Sequence, residues 1–162
     1  MLDRLYAELA DGDTRLVKLA EEHREALRAA CAADPEIWRS YASSYDPQHF
    51  DAAFTGLLAK PGWMPYAVFA GARLVGMTAW LRADVPAQTV EIGGSYIQPD
   101  VRGTGFNGRV KRLMLGHAFA VGFRRVEFRI DERNQRSQAA VAKLGATKEG
   151  VLRAERITWT GH

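Results

Sequence analysis

The run Gln98–Arg112, reading QPDVRGTGFNGRVKR, leaves the chain few ways to fold. A β-like run, Val90–Ile97, leads into it, and a long amphipathic pattern begins inside it. Phe106, Val110, Leu113, Met114, Ala118 and Val121 recur at the spacing of one helix face. Between strand and helix, Gly103 and Gly105 let backbone N–H groups crowd together and point at a ligand. The start of a helix carries amides with no internal partner, which suits phosphate oxygens. The stretch therefore predicts a strand, a glycine turn and a helix that together hold a phosphorylated ligand.

Two motifs overlap there. Gly103, Gly105 and Gly108 spell GxGxxG, and Asp131 or Glu132 could then serve as the ribose carboxylate of a dinucleotide site. That fingerprint wants its first glycine at the end of the strand, whereas Gln98–Arg102, Pro99 included, intervene here. A doubly wound domain also needs more βα units than the one helix and one strand that follow. A plain glycine turn before a core helix is the simplest alternative. The competing pattern is Arg102-x-x-Gly105 with a small or polar residue two places on.

With Glu91-Ile92-Gly93 before it, and Asn134-x-x-Ser137 and Lys143-Leu144-Gly145-Ala146 after it, this pattern resembles the GNAT superfamily of acetyl-CoA-dependent N-acetyltransferases. It looks most like the RimJ/RimL-type branch, and the likeness runs from Thr14 to the C-terminus. Three motifs in order are far more specific than any one of them. The resemblance implies an α+β fold, a mixed and mostly antiparallel central sheet with helices on both faces. It also implies that Arg102, Gly103, Thr104, Gly105, Phe106 and Asn107 wrap the pyrophosphate of coenzyme A. Asn107 departs from the small residue that the family carries at its position.

The length of 162 residues, with 47% hydrophobic, fits one domain spanning residues 1–162 with a real core. No run approaches a membrane span, and Met1–Asp13 has no apolar signal region, so a cytoplasmic protein with no membrane partner is expected. The lone cysteine, Cys31, excludes an internal disulfide. It falls beside Leu27 on the apolar side of a helix, as a small hydrophobe rather than a nucleophile. Charge is uneven. From Arg102 to Lys143 there are ten basic residues against Glu127, Asp131 and Glu132, while the rest of the chain is net acidic. A basic half beside a phosphate loop fits coenzyme A. Nucleic acid fits less well, because the basic residues lack interleaved aromatics and zinc spacing. No metal is implied.

In chain order, the pattern predicts a strand over Arg15–Leu19 and a helix over Glu21–Ala32 with Leu27, Ala30 and Cys31 inward. Asp34-Pro35 reads as an N-cap and first helical residue. Asp46-Pro47 repeats the signal before a helix to Ala59, with Phe50, Phe54, Leu57 and Leu58 on one side. Tyr66–Ala70 and Arg73–Leu81 form a hairpin around Gly71-Ala72. Trp38, Trp63 and Trp80 are core candidates, although the resemblance makes the first two helices and their loops the acceptor pocket. Strand alternation over Val90–Ile97 puts Val90, Ile92 and Tyr96 on one face, and Glu91, Gly93, Ser95 and Ile97 on the other. Gly93-Gly94 marks a bulge or a close approach by a ligand. Arg125–Ile130 reads as a strand, and Asn134–Leu144 as a helix with Asn134, Ser137, Val141 and Leu144 on one stripe.

A carboxylate among apolar strand residues is costly unless solvated or paired, so Glu91 should face a cleft or meet an arginine. The resemblance gives it the role of general base. It gives the backbone at Tyr96 and Ile97 the thioester and its oxyanion, the Asn134 amide the pantetheine arm, and Ser137 the leaving thiolate. A plain N-cap is the alternative for Asn134. The family's frequent tyrosine acid falls on Val141 here and is absent. The reading is an acetyl-CoA-dependent N-acetyltransferase in which a primary amine, either a protein N-terminus or a small molecule, attacks directly. A non-catalytic acyl-CoA-binding module would need the loop but neither Glu91 nor Ser137. Finally, Lys148–Trp159 reads as a strand carrying Leu152, Ile157 and Trp159, with a turn starting at Gly161-His162. The family continues into one more strand, which this chain lacks. The C-terminal segment is therefore expected to pair with a second copy as a homodimer, or to close onto Arg125–Ile130 in another register.

Overall fold

Alternating patterns and turn signals resolve into six strands that lie side by side in chain order. They are β1 (Leu9–Asp11), β2 (Thr14–Lys18), β3 (Met64–Ala70), β4 (Arg73–Asp84), β5 (Thr89–Ile97) and β6 (Arg125–Glu127). The structure is a computed structural model that describes residues 1–161. Every neighbouring pair is antiparallel except β5 and β6. A parallel pair needs a long crossover, and α4 (Phe106–Ala120) supplies it. The other helices are α1 (Leu2–Leu5), α2 (Arg24–Ala32), α3 (Phe50–Leu58) and α5 (Gln135–Lys143), with 3-10 turns at Glu21–His23, Pro35–Ser40 and Pro99–Val101.

The sheet has apolar side chains on both faces because helices cover both. On one face, Phe106, Val110, Met114 and Ala118 of α4 pack with Leu16, Val68, Trp80, Val90, Ile92 and Ile97. On the other, Leu27 and Cys31 of α2, Trp38, and Phe50 and Phe54 of α3 pack with Ala67, Met77 and Tyr96. This is the expected α+β arrangement, mixed and mostly antiparallel. The hairpin of β3 and β4 turns at Gly71-Ala72 as its sequence requires, with Gly71 at φ +62°.

Several local expectations differ from the structure. The first predicted strand is the second in the sheet, because Leu9–Asp11 folds back onto Thr14–Lys18 in a hairpin too short to show periodicity. Leu58 is exposed, leaving Phe50, Phe54 and Leu57 as the buried stripe of α3. The predicted strand over Arg125–Ile130 ends at Glu127. The alternation along β5 breaks at Gly94. Opposite β4, Ala79 pairs with Gly93 and Met77 with Tyr96, so one extra residue is inserted and later side chains change face. Tyr96 thus joins the α2 side and Ile97 the α4 side, the reverse of strict alternation.

Lys148–Trp159 is not a strand. It crosses back over its own chain: Glu149 pairs with Arg125, Glu155 with Arg82 and Arg129, and Trp159 donates from its side chain to the Trp38 carbonyl and from its backbone to the Tyr41 carbonyl. Leu152 and Ile157, read as strand side chains, are exposed. Gly161 donates to the Thr158 carbonyl, closing a turn, and His162 lies outside the described residues.

Candidate functional site

The site begins where β5 loses its neighbour. The parallel ladder runs Thr89 to Arg125, Val90 to Val126 and Glu91 to Glu127, and stops there. β5 continues beside β4 to Ile97, while Phe128–Ile130 leaves the ladder. Beyond Glu91, one edge of β5 therefore has no strand partner among the described residues, and edge N–H and C=O groups can pair with an extended ligand. Gly94 marks the same stretch. It sits at φ +59°, and a Cβ there would stand 2.5 Å from Cζ3 of Trp63. Only glycine meets both conditions.

At the far end of β5 comes the glycine loop. Gly103 and Gly105 take φ of +74° and +84°, and a Cβ built on either would meet nothing within 4 Å, so the loop's outer side is open space. Gly105, the N-cap of α4, has no side chain with which to cap it, and the next amides, those of Asn107 and Gly108, are left for a ligand. Thr104 Oγ1 donates to the Val101 carbonyl at 2.7 Å and tightens the turn. Phe106 is buried in the core beneath, and its backbone amide donates to Thr104 Oγ1 at 3.4 Å. Asn107 Oδ1 is buried with no partner.

Arg102 does not reach outward. Its Nε donates to the Ile97 carbonyl at 2.7 Å, and its Nη1 to Asp34 Oδ2 at 2.8 Å. Asp34, read as an N-cap, makes no side-chain cap and holds Arg102 instead. The pair ties the loop to the turn before Pro35–Ser40. Tyr96 is likewise a core side chain. Its ring lies 4.8 Å from that of Trp38, and its hydroxyl donates to the Ala30 carbonyl at 2.7 Å. Tyr96 and Ile97 can touch a ligand only through their backbone.

Glu91 is 1% exposed rather than open to a cleft. Its Oε2 lies 3.3 Å from Arg82 Nε and 3.9 Å from Arg129 Nε, yet neither contact is aligned as a hydrogen bond, and Oε2 is left unpartnered. Burial holds the carboxyl above its ordinary range, while Arg82, Arg156 and Arg129 pull the other way. Glu155 shares both Arg82 and Arg129 with Glu91. The expectation that Glu91 would meet an arginine holds, but sequence reasoning supplied neither the identity of the arginines nor the part of Glu155. One signal in the structure marks this network: Arg82 has φ +51°, at an irregularity in the β4 register where a non-glycine residue is rarely left-handed.

At the start of α5, Asn134 Oδ1 accepts from Ser137 N at 3.1 Å, so the N-cap expectation holds. The cap uses only the oxygen and leaves Nδ2 to donate elsewhere. Asn134, with Ile37, Ser40, Asp131, Arg133 and Arg136, lines a cavity of about 200 Å³ between α5 and the Pro35–Ser40 turn. Tyr41, also missed, donates from its hydroxyl to the Ser95 carbonyl at 2.5 Å and joins that turn to the bulge of β5.

Comparison with known proteins agrees with this geometry. Residues 13–147 match the acetyltransferase (GNAT) domain family. A protein from T. thermophilus assigned to the acetyltransferases is 31% identical, with a TM-score of 0.84 over 95% of this chain and 82% of that one. A GCN5-related N-acetyltransferase from Brucella melitensis is 23% identical, with a TM-score of 0.86 over 95% of this chain and 73% of that one. RimL, the ribosomal L7/L12 alpha-N-protein acetyltransferase solved with coenzyme A, is 16% identical, with a TM-score of 0.79 over 96% and 93%. At those last two identities the likeness is one of fold. No curated protein matches the sequence significantly. Since the family spans most of the chain, and an open β5 edge and a bare helix start lie within the match, the chain belongs to the GNAT acetyltransferases and is an N-acetyltransferase.

Proposed function

We propose that this N-acetyltransferase is of the RimJ/RimL type, a cytoplasmic single domain over residues 1–162 that transfers acetyl from acetyl-CoA to a primary amine. The acceptor is a protein N-terminus or a small-molecule amine. The observation that carries the reading is the edge of β5 beyond Glu91, which has no strand partner among the described residues and ends at a glycine loop with open space on its outer side. An extended pantetheine arm suits the first, and a pyrophosphate suits the second. The Asn134 amide reaches the same arm from α5, and the backbone at Tyr96 and Ile97 stabilises the tetrahedral oxyanion. The short outer edge of β6 suits a second copy of the chain.

The chemistry follows from charge. An ammonium cannot attack, so Glu91, directly or through a water, takes its proton. The amine nitrogen then bonds to the carbonyl carbon, the carbon–sulfur bond breaks, and the second proton of the nitrogen passes through the Ser137 hydroxyl to the leaving thiolate, so that Ser137 ends as it began. The unpartnered Oε2 of Glu91 and its raised proton affinity support this role. Cys31 is buried and burial pushes its thiol up, which argues against an acyl-cysteine.

Calorimetry with acetyl-CoA, followed by thiol release with a panel of amines and N-terminal peptides, tests the reading. Glu91→Gln should keep acetyl-CoA affinity within about twofold, lower kcat by about 100-fold or more, and remove the acidic limb of the pH–rate profile. An unchanged kcat would make Glu91 a structural partner of Arg82 and Arg129.

A further inference from the structure

Lys111 lies in the middle of α4, one residue after Val110 and three before Met114, and is buried with them. Its Nζ is 2.6 Å from Ser95 Oγ and 3.1 Å from Thr78 Oγ1, and those two hydroxyls are 2.8 Å apart. Thr78 Oγ1 also lies 3.8 Å from Met114 Sδ. The groups facing Lys111 are thus the hydroxyls of β4 and β5 and the sulfur of its own helix. Among the described residues no ion pair reaches it. Glu91 lies on the opposite face of β5, before the bulge. A buried amine with no carboxylate is costly, and a leucine would complete the apolar stripe at no such cost.

We propose that Lys111 is a positioning residue for acetyl transfer: through the Ser95 hydroxyl it fixes the bulge at Gly93–Ser95, and so aims the backbone beyond Glu91 at the thioester. The inference rests on the reading that acetyl-CoA lies along that edge. Three observations support it. Ser95 faces α4 only because the extra residue at Gly94 turns it there. The bulge is gripped from both sides, by Lys111 on the Ser95 hydroxyl and by Tyr41 on the Ser95 carbonyl. A neutral amine also fits this ring of polar groups, with one hydrogen donated to Ser95 Oγ and the other to Thr78 Oγ1. Burial, which brings the Lys111 proton affinity down to about 7, favours that neutral form.

Lys111→Met and Ser95→Ala, alone and together, test this in the full chain. The expected result is a kcat lowered about tenfold or more in each, with KM for acetyl-CoA within about threefold of wild type. The double variant should be no worse than the poorer single one, because both break one link. Amide hydrogen exchange over 93–97 should rise in both. A kcat within twofold of wild type in both single variants overturns the proposal, as does a double variant whose losses multiply. If Lys111→Met fails to fold, Ser95→Ala carries the kinetic and exchange readouts alone. A wild type that exchanges normally over 93–97 but releases no thiol with any amine would instead defeat the acetyl-transfer reading. In that case unchanged exchange in the variants overturns the role of Lys111, and raised exchange sustains its hold on the bulge.

Discussion

At the residue scale, the chain places ionisable groups where burial must shift them, and Lys111 is the clearest. Its ordinary value of 10.5 falls to about 7 in the folded protein, through burial. Between those values the unfolded chain holds a proton that the folded one has shed. Stability therefore rises as pH goes from about 7 to about 10, and the full cost of charging the buried amine is present below 7. The span is worth up to ~5 kcal/mol. Lys111→Met should flatten it. Urea denaturation of both proteins at several pH values across that window checks this, with tyrosine titration cancelling in the difference. Parallel curves would mean that Lys111 keeps its ordinary proton affinity. The sequence marked Glu91 and Gly93-Gly94 as special, because a carboxylate and paired glycines stand out among strand residues. Lys111 is one of the ten basic residues between Arg102 and Lys143, and nothing in the sequence sets it apart. Only the tertiary fold, which turns Ser95 and Thr78 toward α4, makes it unusual.

At the element scale, the glycine loop and α4 were legible and the end of the chain was not. Local chemistry dictates the first. The apolar stripe buries Phe106, Val110, Met114 and Ala118, and the two glycines supply the left-handed conformations before them. The limits of β6 and the course of Lys148–Trp159 depend on distant pairs such as Arg125 with Glu149 and Arg129 with Glu155, which no periodicity encodes. The face reversal in β5 follows from one inserted residue, whose location the glycine pair signalled but whose effect on Tyr96 and Ile97 alternation alone could not supply. The loop offers the direct test. Gly105→Asp puts a Cβ and a negative charge in the open space over the amides, at a φ of +84°. The backbone cost is about 1–2 kcal/mol, because aspartate tolerates that region better than most residues. Acetyl-CoA affinity should fall at least about tenfold, since the carboxylate competes with phosphate for the helix start. Calorimetry on a folded variant that retains wild-type affinity would remove the loop from the ligand site.

At the scale of the whole molecule, the C-terminal segment joins the two sides of the site. Trp159 donates from Nε1 to the Trp38 carbonyl at 2.7 Å and from its backbone to the Tyr41 carbonyl at 3.0 Å, and its ring lies 4.9 Å from that of His49. A few residues earlier, Glu155 engages Arg82 and Arg129, the two arginines nearest Glu91, and Arg156 donates to the Arg129 carbonyl. Trp159 therefore anchors a strap whose other end sets the electrostatics of Glu91. Trp159→Ala removes a partly exposed ring and one hydrogen bond, a loss of about 1–3 kcal/mol, enough to free the strap without unfolding the sheet. Freeing the strap takes Arg156 away from Glu91, which raises its proton affinity, but burial is the larger influence on Glu91 and two other consequences oppose that rise. Solvent reaches a carboxylate whose proton affinity burial had raised, and Arg82 and Arg129, released from Glu155, are left to Glu91 alone. Both lower its proton affinity, so the acidic limb of the pH–rate profile should move to lower pH in Trp159→Ala, with hydrogen exchange rising across residues 153–160. An acidic limb that stays in place while exchange rises would separate the strap from Glu91. A limb that moves to higher pH would mean that the loss of Arg156 from beside Glu91 outweighs both.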